Sequence, residues 1–267
     1  MVGGSSISGD VGMVNAGGLI NAQGGPTVAG AFVPDTSSQA TDTTNTAWKD
    51  HVHVGVVSPT FPVVDTSGFV QYATNVMKAG DKTNLKNYSN LYIKANTNPN
   101  FTGGPTIKGV IYIETPNTVS FAGGTVIQGV IVEATNGSGS PAANTLTFAG
   151  NVTAQPVSTL DATYGGADGK SGLKAMGGAF ILAPDFGVSM KGDFGTISGS
   201  MVVGSLDMTG NAKGTVNGTA IVMNGNANLG GNSDLIINSQ GVNQFPAGVT
   251  FGQHFTPLPA LYDEPLQ

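Results

Sequence analysis

Short apolar runs, each introduced by a glycine, recur along this chain with a spacing that is neither helical nor random. Phe101-Thr-Gly-Gly-Pro-Thr-Ile-Lys-Gly-Val-Ile111 is followed by Phe121-Ala-Gly-Gly-Thr-Val-Ile-Gln-Gly-Val-Ile131, so that Phe, both glycines, Ile, the third Gly, Val and Ile repeat at an offset of twenty. The phrase has an earlier copy in Gly24-Gly-Pro-Thr-Val-Ala-Gly-Ala-Phe32 and reduced copies in Thr196-Ile-Ser-Gly199 and Thr215-Val-Asn-Gly218. Leu146-Thr-Phe-Ala-Gly150 echoes the Phe-Ala-Gly of the second full copy. Runs of Val, Ile, Phe and Met this short predict strands, and those in Gly129-Val-Ile-Val132 and Gly178-Ala-Phe-Ile-Leu182 are continuous enough to be buried.

A fixed period near twenty is the signature of a repeat architecture. Each glycine permits a sharp bend where a side chain would clash, so a chain that bends after every few strand residues winds into coils. The expected fold is all-β, a right-handed parallel β-helix with one capping or flanking α-helix. Its repeat positions are Gly30, Ile107, Gly109, Ile127, Gly129, Ile197, Gly199, Val216 and Gly218. About ten rungs stacked at about 4.8 Å would make a rod on the order of 45–50 Å long. A β-sandwich with glycine-rich turns is the alternative, but it needs no recurring bend phrase.

The repeat divides the chain into N-terminal rungs over 1–33, an inserted region over 34–89, a main solenoid over 90–252 and an extended strap over 253–267. Within the insertion, Thr66 to Gly80 predicts a helix over about 66–79. Thr66 or Ser67 would cap its start and Gly80 suits its end, with Phe69, Tyr72, Ala73, Val76 and Met77 on one face. Asp161 to Gly172 reads as a loop bulging from the rungs, and Leu258, Leu261 and Tyr262 as the strap's contacts with the rod.

Composition narrows the function classes. The 267 residues include 41 glycines, and 39% are hydrophobic, enough for a core. Only 10% are charged; all ten basic residues are lysines, and the net charge is -6. Without arginine forks or a basic cluster there is no footprint for nucleic acid. Zero cysteines exclude disulfides and thiolate metal sites. No apolar run is long enough to span a bilayer. Low charge with abundant Gly, Asn, Thr and Ser suits a bacterial surface protein; if the chain is exported, its leader or anchor lies outside this sequence.

Candidate chemistry is sparse. His51 and His53 share one face of a strand and could grip a metal, but two ligands fall short of a site, and an incidental polar pair is the plainer reading. Asp161 and Asp168 lie in a loop with oxygen donors and glycines in the style of a calcium site, without the regular Asp spacing or a terminal Glu. A plain surface loop is therefore the favoured reading, with calcium the cation such a loop would take, and no cofactor is expected. The acidic residues are scattered singly along the rungs (Asp185, Asp193, Asp207, Asp234), so no carboxylate pair for acid–base work on a polysaccharide is expected, and no catalytic residue is assigned.

Thr-Ile-Lys-Gly-Val-Ile-Tyr-Ile113, Thr-Val-Ile-Gln-Gly-Val-Ile-Val132 and Pro62-Val-Val-Asp-Thr-Ser-Gly-Phe-Val-Gln-Tyr72 resemble an uncharacterised glycine-rich domain of bacterial pilus-assembly proteins of the PilX type. The resemblance covers about forty residues in motif. It implies an exported, envelope- or pilus-associated protein and transfers no catalytic residue. Weaker likenesses are to bactofilins and to ice-binding solenoids. The expectation is a non-catalytic extracellular or cell-envelope protein, structural or binding, whose partners are subunits of a surface assembly or carbohydrate. Its rivals are a self-assembling filament subunit, which would be a homo-oligomer, and a polysaccharide lyase or hydrolase.

Overall fold

The computed structural model describes residues 62–134, 142–161, 172–223, 225–238 and 246–250. Before these it describes the strands Ser6–Gly12, Leu19–Ala22, Thr27–Val33, Gln39–Asp42 and Val52–Val54. The architecture is a parallel β-solenoid of about seven turns. The repeat phrases lie directly above one another: Ile107 is the register partner of Ile127, and Gly109 that of Gly129. Farther along, Ile197 stacks on Val216. At about 4.8 Å per turn, seven turns span roughly 35 Å, and two of the intervals between rungs are lengthened by insertions.

Each turn has three faces. The first carries 87–89, 106–108, 126–128 and 153–155, continued by strands Asp193–Ser198, Lys213–Asn217 and Asp234–Ile237. The second carries 75–77, 91–93, 111–113, 131–133, 181–183, 201–203 and 220–222. The third carries 100–101, 118–122, 145–149, 187–190, 205–208 and 227–229. Inside, Ile, Val, Leu, Met and Phe from all three faces form one core, each buried aliphatic contributing roughly 1.5–3 kcal/mol. Phe101, Phe121 and Phe148 stack at 5.4 and 5.2 Å between ring centroids, which places the Phe-Ala-Gly echo of the sequence on the third face.

The glycine of the repeat sits at the corner between the first and second faces. Gly109 has φ +90° and Gly129 φ +157°. A Cβ on Gly129 would fall 1.8 Å from the Gly109 carbonyl oxygen. Backbone of one rung therefore occupies the space a side chain would need in the next. The same crowding puts a Cβ of Gly199 2.8 Å from the Ala179 carbonyl carbon and a Cβ of Gly218 2.7 Å from that of Gly199. Gly30 lies inside strand Thr27–Val33 opposite Asp10, just past a register shift between Ile7 and Asp10.

The helix expected over 66–79 is replaced by a 3-10 turn at Ser67–Tyr72 and a strand at Asn75–Met77. Residues 75–77 pair with Leu91 to Ile93 as the first strand of the second face, which ends the helical run. Met77 is then buried while Val76 is 61% exposed. In a 3-10 turn residues three apart eclipse, so Phe69 and Tyr72 point together onto the rod. Thr66 does not cap the turn; its hydroxyl donates to the Glu133 carbonyl. The one α-helical turn among the described residues is Gly172–Ala175.

These outer pieces explain why the second-face runs are apolar without alternation. Val110, Tyr112, Val130, Val132, Leu182 and Val202 project outward and are buried beneath Phe69, Tyr72, Val157, Leu160 and Leu173. Strand Val63–Val64 joins this cover through antiparallel pairing with Val249–Thr250. The strap residues Leu258, Leu261 and Tyr262 lie outside the described residues.

Candidate functional site

Stacking brings together two carboxyl groups that are 52 positions apart in sequence. Glu133 ends strand Val126–Glu133 in register with the core residue Ile113 and is 3% exposed. Its Oε2 accepts a 2.9 Å hydrogen bond from the Asp185 backbone N–H. Burial pushes the Glu133 carboxyl up to about 8, and the neighbouring Asp185 carboxylate adds to the rise against the lowering effect of that N–H bond. The expectation of singly scattered acids is corrected: the long insertion after Glu133 carries Asp185 around to it, and no local spacing signals this.

An asparagine ladder continues from this pair along the corner between the second and third faces. Asn144, fully buried, donates through Nδ2 to the Asp185 carbonyl at 3.3 Å, and its Oδ1 accepts from the Asn117 N–H at 3.1 Å. Asn117 in turn donates to the carbonyls of Lys94 and Glu114 and accepts from the Asn98 N–H. Each amide satisfies backbone groups that a turn would otherwise leave unpaired. Outside this corner, Glu114 accepts from Tyr92, Lys94 and the Ala95 N–H. Partial burial works to raise its carboxyl, but those hydrogen bonds outweigh it and leave the group below its ordinary value.

The third face has a different character. Between its buried Val119, Leu146, Val188 and Leu206, the outward positions Ser120, Thr147, Ser189, Asp207 and Asn228 stack in register. Thr118 and Thr145 form a second outward pair beside them. All of these side chains are half-buried or exposed. Neighbouring rungs are about 4.8 Å apart and alternate residues about 6.7 Å, so the hydroxyls form a two-dimensional array. On the first face Asn238 donates to Asn217 at 3.3 Å, a shorter polar ladder.

The sequence-predicted metal ligands do not assemble into a site among the described residues. Asp161 is exposed and lies 4.0 Å from the Lys108 ammonium on the first face. His53 belongs to strand Val52–Val54, whose partner strand places Phe32 beside it. His51 and Asp168 lie outside the described residues. No group of three or more His, Asp or Glu side chains occurs among those described, and no helix there is long and apolar enough to cross a membrane.

No protein-family model, curated protein or solved structure matches this chain.

Proposed function

We propose that the protein is a non-catalytic rod of the bacterial cell surface or envelope that binds a repetitive carbohydrate polymer along its third face. The observation that carries this reading is the outward column Ser120–Thr147–Ser189–Asp207–Asn228, held in register over five rungs. Hydroxyl, carboxylate and amide groups at fixed spacing offer a polysaccharide repeated hydrogen-bonding partners, and the rigid sheet below them spares the ordering cost of a flexible site. Against a hydrolase or lyase stands the burial of Glu133, the carboxyl whose raised pKa would suit a general acid. It is 3% exposed and tied to backbone, so a polymer has no approach to it. The resemblance to PilX-type proteins supports envelope location and pilus association, with protein subunits of a surface assembly as further partners.

Co-sedimentation with insoluble glycans (cellulose, chitin and peptidoglycan sacculi) tests the proposal. The protein is expected to pellet with at least one of them. Thr147→Arg should lower the bound fraction about tenfold with the circular dichroism spectrum unchanged, while Lys108→Ala on the first face should leave binding intact. Wild-type protein that stays in the supernatant with every polymer defeats the reading.

A further inference from the structure

The order of strands along the first face departs from chain order at one place. The sheet runs Asp193–Ser198, Lys213–Asn217, Asp234–Ile237, and then Ser6–Gly12, Thr27–Val33 and Val52–Val54. The first strands of the chain thus extend the rod beyond its last rung. Strand Ser6–Gly12 joins Asp234–Ile237 in parallel through Ser6 opposite Asp234 and Ile7 opposite Leu235. Successive rungs elsewhere on this face follow one another in the chain, as Thr196, Thr215 and Ile236 do, whereas Ser6 and Asp234 lie 228 positions apart (234 − 6).

The N-terminal strands also hold one another more extensively than they hold the body. Two register pairs join Ser6–Gly12 to the last rung, while five join it to Thr27–Val33 and three join that strand to Val52–Val54. This seam is the one place on the first face where chain continuity is missing, and two register pairs cross it there. What separation uncovers is the parallel edge of Asp234–Ile237, whose Leu235 is 5% exposed and belongs to the interior core. An uncovered parallel edge is a template for another strand.

We propose that the Asp234–Ile237 edge is a strand-accepting surface that takes the N-terminal strands of a second copy of this chain, so that molecules join by exchange of their first rungs. The partner follows from the pairing: among the described residues the segment that fits this edge in register beyond the last rung is Ser6–Gly12, and every copy carries both it and the acceptor. The seam formed between copies is identical to the one formed within a copy, so exchange loses no contact. Whether it occurs is then set by concentration. Joined to the body by a short stretch of chain, these strands meet their own edge at an effective concentration of about a millimolar, and exchange becomes populated as the chain approaches that concentration, as subunits packed in a surface assembly would. This inference is independent of glycan binding by the third face.

The chain has no cysteine, which makes paired cysteine reporters clean. The double variant Ser6→Cys/Asp234→Cys should close an intramolecular disulfide in dilute solution, visible as a mobility shift reversed by reductant. The two single variants, refolded together near 1 mM and then diluted and oxidised, should give the mixed disulfide at least tenfold above either homodimer. The same variants refolded separately and mixed at micromolar concentration should give none. A mixed disulfide no more abundant than the homodimers overturns the proposal, as does failure of the double variant to close. Should the Asp234→Cys chain not regain native circular dichroism, light scattering on wild-type protein refolded at the same concentration decides: dimers or longer species support exchange, and monomer alone overturns it.

Discussion

The second and third faces of the rod share one backbone geometry and differ in what lies outside them. On the second face Val110, Tyr112, Val130 and Val132 project away from the interior and are nonetheless buried, because the turn at Ser67–Tyr72 and the side chains of Val157, Leu160 and Leu173 lie over them. On the third face the equivalent outward positions are Ser120, Thr147 and Ser189, partly open to solvent. A strand covered on both sides reads as a continuous apolar run, and a strand covered on one side alternates. The comparison shows that the glycine-bounded Val-Ile-Val phrase encodes two things at once: an inner column for the solenoid and an outer column for its cover.

The sharpest way to break this contrast is a charge on each face. Val132→Asp would bury an unpaired carboxylate beneath the cover and should cost on the order of 4 kcal/mol or more. Thr147→Asp, at a half-open position, should cost less than about 1 kcal/mol. Urea unfolding midpoints measure both, and equal costs would mean that the second face is not covered in solution.

A smaller effect is expected at the glycine corner between the first and second faces. Gly129→Ala places a methyl group against the Gly109 carbonyl oxygen and should destabilise by about 3 kcal/mol. Gly103→Ala is the control: Gly103 has φ +81° but open space around a Cβ, so only the backbone cost of about 1 kcal/mol applies. If the two substitutions lower the thermal midpoint alike, close stacking of rungs is not what the repeat glycine serves.

The last effect is graded, a pH slope. Glu133 keeps its proton in the folded state up to about pH 8, whereas in the unfolded chain it releases it near 4.5. Its contribution is fully present below about pH 4.5 and declines as pH rises between those values, by about 1.4 kcal/mol per pH unit. Above about pH 8 both states are ionised and the decline stops. The thermal midpoint should therefore fall from pH 5 to pH 8, and Glu133→Gln, neutral in both states, should flatten that fall. Glu114 acts oppositely: its lowered pKa gives stability that is lost only as pH drops below its ordinary value, outside this window. An unchanged slope in the Glu133→Gln protein would show that the buried carboxyl is not its source.

Much of the fold was legible in the sequence because the repeat is nearly perfect where it matters. The offset of twenty between Ile107 and Ile127, and between Gly109 and Gly129, is the register of the two strands. The stretch at 66–80 misled for a physical reason. Phe69, Tyr72, Ala73, Val76 and Met77 fit a helical stripe, yet the same spacing serves a 3-10 turn followed by a strand, and pairing with Leu91 to Ile93 selects the second. The Ser/Thr column was legible only as composition, since its continuity from Thr147 to Ser189 crosses a long insertion. Glu133 and Asp185 were invisible as a pair for the same reason.

What the sequence determined by itself is periodic: where the chain bends, which aliphatic and aromatic side chains stack inside, and that the strands run parallel. These follow from local spacing, because a fixed period places equivalent residues at equivalent points of each coil. The tertiary structure decided everything that joins non-equivalent points: the cover over the second face, the carboxyl pair at the corner, and the docking of the first strands beyond the last rung. Contacts of that kind depend on how insertions of unequal length return to the rod, and no repeat in the sequence records a return path.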